Sequence, residues 1–151
     1  METMRGWSGV LAVGGVILLG VVACKGDGKP HAVSYVVVGY SQCLNPVTRA
    51  PMALRVDVSY TTEHGEWERQ SILLHCRQEV QPGPSGQERF ATEPWRKEFT
   101  APSGRYVSIT AGLGPQLLSI ACTIQVDGQP WKEARAFAGT AAGASCSGNL
   151  P

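Results

Sequence analysis

The chain has 151 residues and a formal net charge of +1 at pH 7. This length suits one domain with a single core and is short for two. Basic and acidic residues are mixed along the chain without a lysine- or arginine-rich block. Such a composition excludes an extended surface for nucleic-acid phosphates, so nucleic acid is not an expected partner.

Residues 1–23 form an apolar leader. From Gly9 to Ala23 every residue is Val, Leu, Ile, Ala or Gly. This length is typical of the hydrophobic region of a signal peptide and is short for a bilayer-spanning helix, which needs about 20 apolar residues. The leader therefore predicts export. A start at Met4 instead of Met1 would give a more basic leader, and both starts stay open.

The leader ends in the sequence VVAC, residues 21–24, which resembles the lipobox of bacterial lipoproteins. In such signals the cysteine thiol receives a diacylglyceryl group and becomes the new N-terminus after cleavage. Two or more acyl chains give stable anchoring. We therefore predict a lipid on Cys24 and a location on the extracytoplasmic face of the cell membrane. The alternative is an uncleaved signal anchor with an unmodified Cys24.

The cysteine count supports a separate role for Cys24. The chain has five cysteines, an odd number for an exported protein. Setting Cys24 aside leaves Cys43, Cys76, Cys122 and Cys146, with no C-x-x-C motif among them. Two disulfides are expected in an oxidising compartment, each contributing about 3 kcal/mol by restricting the unfolded chain.

Residues 24–32 are predicted as the lipidated cysteine and a polar tether, and residues 33–151 as a β-sandwich domain. The segments 54–60 and 118–127 alternate between apolar and polar residues, as half-buried strands do. The full set of about seven predicted strands is 33–40, 54–60, 69–76, 96–101, 105–112, 118–127 and 131–138. No helical period follows the leader. The pattern predicts an all-β, immunoglobulin-like antiparallel sandwich.

Two segments are too rich in Pro, Gly and small polar residues to predict as strands, namely 79–89 and the tail 139–151. Cys146 is expected to hold the tail in place. Cys122 lies on the apolar face of its strand, which makes Cys146 its preferred partner and leaves Cys43 to pair with Cys76. Four cysteines allow three connectivities, so the other two stay open.

The sequence lacks a recognisable catalytic or metal-binding motif. His31 falls in the tether, His64 in a turn and His75 on the polar face of a strand, and none belongs to an H-E-x-x-H motif. A G-x-S-x-G motif is also missing. We predict a protein that acts by binding, with no enzyme activity, cofactor or metal. A Ser-His-Asp set assembled by the fold stays open.

Tryptophans are the candidate partner-binding residues, because tryptophan is enriched in binding hot spots. Trp67 and Trp131 are the two candidates, and Trp131 follows the turn sequence DGQP. Both could instead belong to the core, with Trp131 acting as a lid over one end of the sandwich. Trp95, which follows a proline, is expected to pack at an edge.

Five motifs follow one another in the exported part: VSYVVVG, VDVSY, EPW, VSITAG and SIACTIQVDG, with a cysteine near the C-terminus. This order resembles the mycobacterial membrane protein small (MmpS) family of actinobacterial envelope proteins. The resemblance implies an immunoglobulin-like domain that assists a large transporter of lipids or siderophores. The lipobox replaces the family's transmembrane helix, and the segment between Tyr60 and Trp95 is expanded, which indicates a divergent lipoprotein.

Two other functions stay open at this stage. One is surface exclusion or immunity, a role that small lipoproteins of phages and plasmids can have. The other is a small exported hydrolase or enzyme inhibitor. The hydrolase predicts a concave pocket with converging polar groups that include a histidine.

Overall fold

Residues 28–41, 53–82 and 88–151 are described by a computed structural model, and they form strands and turns with no helix. Their nine strands are β1 (Pro30–Ser41), β2 (Ala53–Thr61), β3 (Trp67–Pro82), β4 (Glu88–Thr92), β5 (Trp95–Pro102), β6 (Tyr106–Gly112), β7 (Ser119–Val126), β8 (Gln129–Phe137) and β9 (Gly143–Asn149). The predicted all-β fold is confirmed, with more strands than the expected seven. In this part of the chain no helix is long and apolar enough to cross a membrane.

The strands form two antiparallel layers that share β3. One layer has the order β8-β7-β1, with β5 and β4 paired to the other edge of β1. The second layer has the order β3-β2-β6-β9. The first half of β3 pairs with β2, and its last residues pair with β4 after an irregularity between Cys76 and Val80. This is the sandwich-like arrangement that the strand pattern predicts.

The core between the layers consists of the apolar residues that alternate along the strands. In β2 the buried positions are Leu54, Val56, Val58 and Tyr60, as the period of two predicts. In β7 the buried positions are Ile120, Cys122, Ile124 and Val126. These side chains are removed from water between the two layers, which is the main source of stability for such a fold.

One polar contact crosses this core. The hydroxyl of Tyr35 in β1 donates to the carbonyl oxygen of Thr61 in β2 at 3.0 Å and accepts from the backbone N–H of Ser108 in β6 at 3.2 Å. Tyr35 is fully buried. Burial raises the pKa of its hydroxyl, so the neutral form is favoured. The contact links the first layer to two strands of the second.

Two segments predicted as loops contain strands. The tail 139–151 includes β9, which pairs with β6 along its whole length, so its assignment to a loop is wrong, whereas Cys146 holds it to β7 as expected. Similarly, β3 continues to Pro82 and β4 begins at Glu88, inside the segment 79–89. Small residues give a weak hydrophobic signal, but backbone pairing with a distant strand decides their structure.

The tether is shorter than predicted because β1 begins at Pro30 and pairs with β5 from there onward. Residues 30–32 therefore belong to the domain and not to a solvated linker. The leader, Cys24 and Cys43 lie outside the described residues. Export, lipidation of Cys24 and a role for Cys43 stay predictions.

Candidate functional site

The candidate site lies at the end of the sandwich where β1 begins, which we call the proximal end. Three turns meet at this end: residues 62–66 between β2 and β3, residues 103–105 between β5 and β6, and residues 127–128 between β7 and β8. We call the opposite end, where β1 finishes, the distal end.

Strand register brings the turns together. Pro30 pairs with Pro102, which places the start of β1 beside the turn that follows β5. The backbone N–H of Asp127 donates to the carbonyl oxygen of Ala32 at 2.8 Å. Asp127 and Gly128 have positive φ values of 51° and 79°, as expected for the predicted Asp-Gly hairpin turn.

His31 is buried at the proximal end, with 9% of its surface exposed, so its prediction as a tether residue is wrong. Its Nδ1 lies 2.8 Å from Oδ2 of Asp127. Its Nε2 lies 3.0 Å from both Oγ of Ser103 and the carbonyl oxygen of Pro151. The carboxylate of Asp127 also accepts the backbone N–H of Ala32 at 2.9 Å. These hydrogen bonds, that of His31 first, lower the pKa of the Asp127 carboxyl group.

The spatial arrangement resembles a Ser-His-Asp triad, because the ring of His31 lies between Ser103 and Asp127 and contacts both. The protons, however, are arranged differently. Nε2 also faces the carbonyl oxygen of Pro151, which can only accept, and Nδ1 faces a carboxylate. The hydroxyl of Ser103 donates to the carbonyl oxygen of Lys29 at 3.2 Å, whereas a triad needs the serine hydroxyl to donate to Nε2.

The backbone N–H groups around Ser103 are already paired. Those of residues 103, 104 and 105 donate to the carbonyl oxygens of Lys29, Leu150 and Pro102 at 3.2, 2.9 and 3.2 Å. An acyl-transfer site needs free donors aimed at the developing oxyanion. These contacts favour a structural role, because they join the start of β1, two turns and the C-terminal residues. We call the cluster of His31, Ser103 and Asp127 the clamp.

Neither of the other two histidine side chains bonds to this cluster in the described part of the chain. His64 is exposed in the turn after β2, with Nε2 3.7 Å from a carboxylate oxygen of Glu63. His75 is exposed on β3. Among the described residues, no three His, Cys, Asp or Glu side chains are grouped as metal ligands.

A shallow depression of about 490 Å³ lies next to the clamp. Trp67 and Tyr106 line it, together with Pro102, Ser103 and Arg105. Trp67 is 63% exposed and Tyr106 is 47% exposed, so both rings present apolar surface to solvent. The core alternative for Trp67 is therefore wrong.

Trp131, the second predicted binding residue, packs against the domain. Its ring covers Gly148 of β9 so closely that a Cβ there would lie 2.6 Å from Cη2 of the ring. The amine of Lys132 lies 5.0 Å from the ring centre. Trp131 is half-buried and packs against the core, which agrees with the core alternative. Trp95 also packs on the core, beside Tyr60 at 5.8 Å between ring centres.

The cysteines of the described strands take part in disulfides. Cys122 of β7 is bonded to Cys146 of β9, with their Cα atoms 6.3 Å apart. This confirms the preferred pairing and joins the two layers. Cys76 is also disulfide-bonded. Its predicted partner, Cys43, lies outside the described residues, so that pairing stays a prediction.

Sequence reasoning missed Tyr106, although a signal for it was present. In the segment 106–112 the inward positions are Val107, Ile109 and Ala111. The same alternation therefore places Tyr106 outward. The pairing of His31 with Asp127 had no comparable signal, because 96 residues separate them.

The chain matches no protein-family model and no curated protein.

Proposed function

We propose that this is an extracytoplasmic envelope protein, anchored to the cell membrane by a lipid on Cys24, that acts by binding at its proximal end. The single observation that carries the binding role is the exposed pair Trp67 and Tyr106 beside one depression. Trp and Tyr are enriched where proteins bind other molecules, because their rings supply apolar contact area together with a polar group.

The more specific version of the proposal is an accessory subunit of an envelope transporter for lipids or siderophores. It rests on the resemblance to the MmpS family. The all-β domain and the bond between Cys122 and Cys146 agree with that resemblance. Neither feature is specific to one partner, since a fold does not determine function. Exclusion or immunity at the cell surface is a competing role for the same anchored domain.

Two measurements test the anchor and the binding surface. The intact mass of membrane-extracted protein should match residues 24–151 with a diacylglyceryl group, and a mass of unmodified residues 1–151 would contradict the anchor. A photoreactive residue placed at Tyr106 should form adducts in intact cells. The matched control is Leu73, which is 53% exposed on β3. Equal adducts at both positions would contradict a specific proximal surface.

A small exported hydrolase is the second candidate, favoured only by the distances among Ser103, His31 and Asp127. A fluorophosphonate that labels activated serines tests it. We expect no labelling, because the Ser103 hydroxyl donates to the carbonyl oxygen of Lys29 and Nε2 of His31 also faces the carbonyl oxygen of Pro151, which can only accept. Labelling of wild type that Ser103→Ala abolishes would establish the hydrolase and overturn the proposal of a purely binding protein.

A further inference from the structure

The path of the chain places the proximal end next to the predicted anchor. The carbonyl oxygen of Lys29 accepts hydrogen bonds from the backbone N–H and the hydroxyl of Ser103, both at 3.2 Å. Ser103 also lines the depression that holds Trp67 and Tyr106. The chain therefore joins the domain at the rim of its exposed aromatic surface.

The number of residues before Lys29 limits how far this surface can lie from the membrane. Lys29 follows Cys24 by five positions, which span at most about 18 Å even when fully extended. By comparison, β1 has 12 residues and a length of about 40 Å at 3.3 Å per residue. A lipid on Cys24 would thus keep the proximal end close to the bilayer, while the distal end can extend well away from it.

The chemistry of the surface fits the lipid–water interface. Tryptophan and tyrosine are enriched at this interface because one end of each ring is apolar and the other can hydrogen-bond to water or headgroups. Arg105 lines the depression and Lys29 lies at its rim, whereas Glu63 and Glu66 are exposed on the adjoining turn. Charges of both signs are therefore mixed at this end, so attraction to anionic lipids is not the expected driving force.

The other exposed apolar side chains are placed differently. Phe137, which is 46% exposed, pairs with Ser119, and Ser119 pairs with Tyr40 near the end of β1. Phe137 therefore lies at the distal end. Its ring has no polar group, and it offers a control position of similar exposure.

We propose that the proximal end docks on the lipid–water interface of the membrane, with Trp67 and Tyr106 in the headgroup layer. This inference rests on the lipid anchor of the proposed function. It goes further in naming the lipid headgroups as what Trp67 and Tyr106 contact. A protein partner is the competing occupant of the same surface.

The test uses the full-length lipidated protein reconstituted into vesicles of phosphatidylcholine, with and without brominated lipid, and no other protein. Bromine quenches tryptophan fluorescence at short range. We expect strong quenching in wild type and loss of most of it in Trp67→Phe, which leaves Trp95 and Trp131 in the processed domain. The double variant W67F/F137W, with a tryptophan at the distal end, should stay unquenched. Quenching should change little between low and high salt.

The outcomes separate the two proposals. Lipidated protein in which W67F is quenched as much as wild type, or in which the distal tryptophan is quenched equally, overturns docking and leaves the anchor intact. Absence of quenching in lipid-only vesicles also overturns it and leaves a protein partner as the competing occupant of the surface. An intact mass without lipid removes the anchor and the docking inference with it. Circular dichroism of each variant excludes misfolding as the cause.

Discussion

The imidazole of His31 donates a hydrogen bond to the carboxylate of Asp127 across 2.8 Å, although 96 residues separate the two in the chain. This contact fixes the start of β1 against the turn between β7 and β8. In a Ser-His-Asp triad the aspartate orients the histidine ring through the same nitrogen, Nδ1, so this contact alone is also compatible with a triad. The second nitrogen, which faces the carbonyl oxygen of Pro151, favours a structural role.

Stability should depend on the charge of Asp127. Its pKa in the folded state is lower than the ordinary value of 3.8, chiefly through the hydrogen bond from His31. The stabilisation is therefore complete above that value and is lost as the pH falls through the lowered pKa. We expect Asp127→Asn to unfold at lower urea concentration than wild type near about pH 5, and the difference to shrink progressively as the pH is lowered below 3.8.

Asp57→Asn is the matched control for this experiment, since Asp57 is an exposed aspartate on β2. It should leave the midpoint close to wild type near pH 5. A constant difference between D127N and wild type over the whole range would contradict the role of the carboxylate.

The bond between Cys122 and Cys146 should contribute strongly to stability. It closes a segment with a sequence separation of 24, for which restriction of the unfolded chain predicts about 3 kcal/mol. The double variant C122A/C146A should lose about this amount in urea unfolding, plus a smaller loss of side-chain contacts. The double variant is preferable to a reductant, because a reductant would also break the disulfide that Cys76 forms. A loss below about 1 kcal/mol would mean that the link between the layers matters little.

Tyr35→Phe should destabilise the domain while keeping the ring. The substitution removes a buried hydroxyl that bonds to Thr61 and Ser108, and we expect a loss of about 1–2 kcal/mol in the free energy of unfolding. The control is Tyr40→Phe, whose hydroxyl only accepts a long bond of 3.4 Å from Arg135. Equal losses for the two substitutions would show that the buried hydroxyl of Tyr35 contributes no more to stability than the exposed hydroxyl bond of Tyr40.

Gly148 should be needed for the position of Trp131. A methyl group at residue 148 would lie 2.6 Å from the tryptophan ring, so Gly148→Ala should cost about 1–3 kcal/mol through overpacking. It should also displace the ring and shift its fluorescence to longer wavelength. In a Trp131→Phe background the cost should fall, because phenylalanine lacks the clashing atom. Additive effects in this double-mutant cycle would contradict the contact.

Much of the fold could be predicted because it depends on local alternation. Residues 54–60 and 118–127 are predicted as strands from a period of two, and their inward residues are buried, except that Leu118, which precedes β7, is only half-buried. The strand β9 could not be identified in this way. Its residues Gly143, Ala144 and Gly148 are small, and they are strand residues only because β6 and Trp131 lie against them.

The same distinction between local pattern and long-range contact applies to the candidate site. The sequence determined that Trp67 is a possible binding residue, that Cys122 faces the core and that Asp127–Gly128 is a turn. These properties depend on residue type, alternation and the φ preference of short segments. Three other properties appear only once the strands are packed together: Trp67 and Tyr106 line one depression, Trp131 covers Gly148, and His31 is buried against Asp127. Each of these depends on the register between strands that are distant in the chain, and register is set by the packing of both layers together.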